Sequence, residues 1–108
     1  MNISPNFDNY VFFSEPASEP LSKDHKHQIQ SEFDGLTEGM QCTKLIRKLF
    51  SAHAIDQSQK EKLNKISTDV EKADFILSAV MKGSYKHLTA LKKALKDTDQ
   101  KHLAEKLP

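Results

Sequence analysis

Apolar residues recur at helical intervals along most of this chain. Ala73, Ile76, Leu77, Val80 and Met81 stand at i, i+3, i+4, i+7 and i+8, the spacing of one stripe on a helix of 3.6 residues per turn. Thr68 followed by Glu71 gives the capping-box pattern at its start, where a hydroxyl and a carboxylate satisfy backbone N–H groups left without partners in the first turn. Gly83 is expected to end this helix, a position where glycine can adopt the left-handed conformation at low cost. Ser84 then caps a helix carrying Tyr85, Leu88, Leu91 and Leu95, and Asp99 caps a last short helix with Leu103 and Leu107.

The first half follows the same rule with weaker punctuation. Ser22 opens a helix with Ile29, Phe33 and Leu36 at i, i+4 and i+7. Gly35 lies inside it, and because glycine costs about 1 kcal/mol relative to Ala in a helix interior, a bend or break is expected near Asp34-Gly35. Met40, Leu45, Ile46, Leu49 and Phe50 predict a second helix that begins between Thr37 and Gly39, ends near His53 and forms the central buried element. Asp56 and Gln59 repeat the capping-box spacing and start a third helix with Leu63 and Ile66 facing inward. Six helices with very short connections predict an all-α, six-helix antiparallel bundle with a kinked first helix, its core including Leu49, Ile76, Leu77, Leu91 and Leu95. Neither strand alternation nor a sustained heptad competes with this reading.

Length and composition narrow the function classes. A chain of 108 residues, 37% of them apolar, holds one small domain. Pro5, Pro16 and Pro20 disfavour helix over residues 1–20, so a flexible N-terminal tail is expected there and the bundle over 21–108. Tyr10-Val11-Phe12-Phe13 interrupts the tail; it docks back on the domain, serves as a short peptide ligand, or belongs to a disordered leader. No apolar run approaches the roughly 20 residues that span a bilayer, and the N-terminus lacks the basic-then-apolar order of a secretion signal, so a soluble cytoplasmic protein is expected. The lone Cys42 sits in a helical pattern beside Leu45 and Ile46, where a buried structural thiol is expected over a nucleophile. His25 and His27 are two apart and do not share a helix face, and no ligand pattern completes a metal site. With three glycines and no phosphate-cradling loop, neither a cofactor nor catalysis is expected.

Several segments carry a family resemblance: Lys44-Leu45-Ile46-Arg47-Lys48-Leu49-Phe50, Ala54-Ile55-Asp56, Leu63-Asn64-Lys65-Ile66, Ala73-Asp74-Phe75-Ile76-Leu77-Ser78-Ala79-Val80, Lys82-Gly83, Leu88 to Leu95, and Thr98-Asp99-Gln100-Lys101-His102-Leu103-Ala104. Over Leu21 to Leu107 the chain resembles a caspase recruitment domain, a branch of the six-helix death-fold superfamily. Val80-Met81 stands where many members have Leu-Pro, which leaves the pyrin, death and death-effector branches open. The resemblance implies homotypic association with another such domain, in a caspase, an adaptor or a nucleotide-binding scaffold of apoptotic or inflammatory signalling, or with further copies of itself.

On that template the charges sort into two surfaces. Lys44, Arg47 and Lys48 with Lys60, Lys62 and Lys65 make a basic partner-binding face, and Glu32 and Asp34 with Asp69, Glu71 and Asp74 an acidic one. Opposite charges on different faces permit head-to-tail contact between copies. Residues 1–20 carry Asp8, Glu15 and Glu19 and no Lys or Arg, while the remainder has sixteen basic residues against twelve acidic. That mild surplus makes nucleic-acid binding, including through Lys86, Lys92, Lys93 and Lys96, the runner-up: interspersed acids weaken the field and no stacking aromatics accompany the lysines. A third reading is the recruitment prodomain of an initiator caspase whose protease lies outside this chain.

Overall fold

The apolar stripes become seven α-helices in a computed structural model that describes residues 19–108; Tyr10-Val11-Phe12-Phe13 and the rest of residues 1–18 lie outside the described part. In chain order they are α1 (Lys23–Ser31), α2 (Phe33–Gly39), α3 (Thr43–Ser51), α4 (Gln57–Asn64), α5 (Asp69–Lys82), α6 (Tyr85–Asp97) and α7 (Lys101–Ala104). The fold is all-α. Among the described residues the extended pairing is confined to one antiparallel bridge between Pro20 and Ser84.

Helix α5 occupies the middle, packed against α2, α6 and α1, while α3 lies on α6 and α4 and α7 lies on α6. The expectation that the second sequence helix would be central is corrected: α5 is the longest helix, and Ala73, Ile76, Leu77 and Val80 along it are all buried. Leu36, Leu45, Leu49, Leu63, Leu91 and Leu95 close the core around them. Met81, Ile66, Phe33 and Tyr85 pack against its edge, half-buried.

Local chemistry sets the helix ends. Asp56 makes the full capping box, with the Gln59 N–H donating to Oδ1 at 2.8 Å and the Asp56 N–H donating to Gln59 Oε1 at 3.0 Å. At Thr68 only half of it forms: the Glu71 N–H donates to Thr68 Oγ1, and the Thr68 hydroxyl turns to the Glu71 carboxylate, both at 3.2 Å.

Three expected boundaries move, and one helix end takes another conformation. The first rod breaks at Glu32 (φ −98°, ψ 6°) and not near Asp34-Gly35; Gly35 stays helical because Leu36 and Thr37 beside it are buried in the tightly packed α2–α5 contact, and packing overrides propensity. Thr37–Gly39 close α2, and the extended Met40 (ψ 127°) separates it from α3, which begins at Thr43. Gly83 ends α5 at φ −93°, not in the left-handed region. Its glycine answers a close approach: a Cβ there would lie 2.7 Å from Nδ1 of His87, the atom that accepts the Ser84 N–H at 3.0 Å. Finally, Asp99 does not stand at the N-cap of α7; Gln100 does, with no side-chain capping bond.

Asp99 (φ 62°) and His53 (φ 61°) instead hold the left-handed position after α6 and α3. In both turns the following residue bonds back five positions, Ala54 N–H to Leu49 O at 2.9 Å and Gln100 N–H to Leu95 O at 2.7 Å, which are Schellman closures. Side chains other than glycine cost about 1 kcal/mol in that conformation. His53→Gly and Asp99→Gly are therefore each expected to raise thermal stability by a few degrees, about 0.5–1 kcal/mol. Gly83→Ala is expected to lower it through the His87 ring. Thermal melts followed by circular dichroism check both signs.

Candidate docking surfaces

The charged residues project from helices whose opposite faces are held by the core. On α3, Leu45, Ile46 and Leu49 are buried, which turns Lys44, Arg47 and Lys48 outward. Consecutive helix residues diverge by about 100°, and Arg47 and Lys48 accordingly face different concavities. Arg47 lines one of about 290 Å³ with Lys60 of α4 and Lys72 of α5, together with Thr43 and Asn64. Lys48 lines another, of about 250 Å³, between α3 and α6, where Lys93 and Asp97 meet it. Lys44, Lys62 and Lys65 are exposed and line neither. Lys60 also lies over the Phe50 ring, 4.6 Å from its centroid, which orders its stem.

The carboxylates divide similarly. Glu71 and Asp74 lie on one rim of a groove of about 620 Å³ between α5 and the α3–α4 connection, floored by Ile55, Ile66, Phe75 and Val80. Asp74 accepts the Ser78 hydroxyl at 3.3 Å. One turn earlier on the same face, Val70 is 48% exposed, a large apolar side chain left bare beside Asp74. Asp69 is exposed and does not line the groove; its backbone carbonyl accepts the Cys42 thiol at 3.5 Å. Glu32 is half-buried at the α1–α2 break, and Asp34 is exposed on α2.

Among the described residues the one ion pair is Lys93–Asp97, at 3.9 Å and exposed, the kind worth little to stability. None of the eleven charged residues on the two faces has an ion-pair partner within the described part of the chain. In the runner-up set on α6, by contrast, Lys93 pairs with Asp97 and Lys92 donates to the Pro108 carbonyl at 2.9 Å.

Cys42 is fully buried. Burial pushes its thiol up to about 12, the Asp69 carboxylate adding to the shift and Lys72 opposing it, so no thiolate forms at neutral pH. Among the described residues no three His, Cys, Asp or Glu side chains gather as a metal site, and no helix is long and apolar enough to cross a membrane.

Reading along the chain overlooks two participants, Lys72, hidden in the acidic run Asp69 to Asp74 yet turned to Arg47, and the bare Val70; it places Lys93, which stands beside Lys48, in the nucleic-acid set alone. The helical period was the available signal, since Lys72 lies about 160° around α5 from Asp74. Comparison with protein-family models, curated proteins and solved structures finds no match to this chain.

Proposed function

We propose that this chain is a protein–protein interaction module of the caspase recruitment type, an adaptor that binds a like-folded domain in apoptotic or inflammatory signalling in the cytoplasm. The reading draws on the sequence resemblance. The observation that supports it best is the separation of two charge clusters that form no ion pair among the described residues, Arg47 with Lys60 and Lys72 on one side of α5, Glu71 with Asp74 on another. A surface basic at one place and acidic at another is self-complementary in a head-to-tail sense, and the same contact serves a second copy or a related domain. Val70 gives the acidic side an apolar contact that a partner desolvates on docking. Complementary charge then sets orientation and partner choice, while the buried apolar contact slows release.

Charge reversal tests it. Arg47→Glu and Asp74→Lys are each expected to weaken capture of a like-folded partner at least about tenfold, some 1.4 kcal/mol, with helical circular dichroism unchanged. Mixing the two variants is expected to restore self-association measured by sedimentation velocity, because each mixed contact is either native or fully swapped. Capture that neither reversal alters overturns the assignment.

A further inference from the structure

The groove beside α5 is open, and its floor is apolar: Ile55, Ile66, Phe75, Ala79 and Val80 line it, with Asp74 on one rim and Lys82 at one end. We propose that it is the docking site of this chain's own Tyr10-Val11-Phe12-Phe13 segment. The inference stands apart from the docking function above.

The place where the described chain begins carries the argument. The Glu19 carbonyl accepts the Tyr85 N–H at 3.1 Å and Pro20 pairs with Ser84, and the neighbouring Gly83 and His87 close one end of the groove. The N-terminal segment is therefore tethered at the groove's mouth. Ser14 to Ser18 separate Phe13 from Glu19, a stretch that reaches at most roughly 20 Å when extended. From Gly83 back to Glu71, α5 runs about 18 Å at 1.5 Å per residue. Pro16 within the stretch favours the extended form.

The chemistry also matches. A Val and three aromatic rings in four consecutive residues suit an apolar trough of this size. Glu15 and Tyr10 flank the apolar pair in sequence, an acid and a hydroxyl complementary to the Lys82 and Asp74 that line the groove. A tether this short holds the segment at millimolar effective concentration, so modest affinity fills the groove.

A nitroxide on Ser14→Cys in the full chain tests this, because the buried Cys42 thiol does not take the label. The amide signals of Ile55, Ile66, Phe75, Ala79 and Gly83 are expected to lose most of their intensity at every dilution. Adding Phe12→Ser and Phe13→Ser to the labelled chain is expected to restore them without altering the helical circular dichroism. Three results overturn the proposal: no loss of intensity at the groove, a loss indifferent to Phe12 and Phe13, or a loss seen only when label and observed amides lie on different molecules. The last assigns the groove to a second copy.

Discussion

Leu77→Ala is expected to cost about 2–5 kcal/mol of folding stability, the range for removing a fully buried leucine and leaving a partly collapsed cavity. The side chain has no exposed surface and lies on α5, which packs against α1, α2 and α6. Neighbours anchored in three directions cannot all move in to fill the void, which places the loss in the upper part of that range. A domain of this size has roughly 5–15 kcal/mol in all, so the substitution removes a large share of it. Thermal unfolding should fall by well over 10 °C, since each kcal/mol shifts such a domain by about 4–8 °C. Val70→Ala supplies the control. It trims a similar aliphatic chain from the same helix, but at a position 48% exposed, and is expected to stay within about 0.5 kcal/mol. Equal losses at the two positions would mean that the α5 stripe does not organise the core.

That contrast shows which parts of the fold are legible along the chain. The stripes are: Ile76, Leu77, Leu91 and Leu95 stand at helical spacing and all are buried. The Asp56–Gln59 box is also legible, because both its partners lie within one turn. Features fixed by distant contacts are not. Gly35 looks like the weak point of the first rod, yet the break falls at Glu32, because the burial of Leu36 against α5 outweighs a propensity difference of about 1 kcal/mol. The two left-handed turns escape notice because His53 and Asp99 occupy positions where glycine is the usual signal.

The candidate surfaces divide in the same way. Exposure of Lys44, Arg47, Lys48, Glu71 and Asp74 follows from their polar character and helical phase. Which of them share a concavity depends on the rotation of α3 and α4 against α5, and no local pattern encodes that rotation. Arg47 and Lys48, adjacent in sequence, thus line different hollows, while Arg47 and Lys72, twenty-five residues apart, line the same one.

Gln100→Met is expected to cost about 1–3 kcal/mol, the penalty for stranding polar partners that burial keeps from water. Gln100 is a buried polar side chain, 4% exposed, and its amide makes a two-way clasp with a backbone 59 residues away. Its Oε1 accepts the Gln41 N–H at 2.7 Å, and its Nε2 donates to the Gln41 carbonyl at 3.0 Å and to Thr98 Oγ1 at 2.8 Å. This ties the connection between α2 and α3 to the turn between α6 and α7. The Gln100 carbonyl meanwhile accepts the Leu103 and Ala104 N–H groups at the start of α7, so the residue anchors a four-residue helix too short to persist alone. Methionine matches the volume and leaves the backbone bonds in place, which isolates the clasp from packing. Hydrogen exchange should accelerate at the Gln41 amide along with the stability loss. A change below about 0.5 kcal/mol, the scatter of neutral surface substitutions, would show that water replaces the glutamine at no net cost.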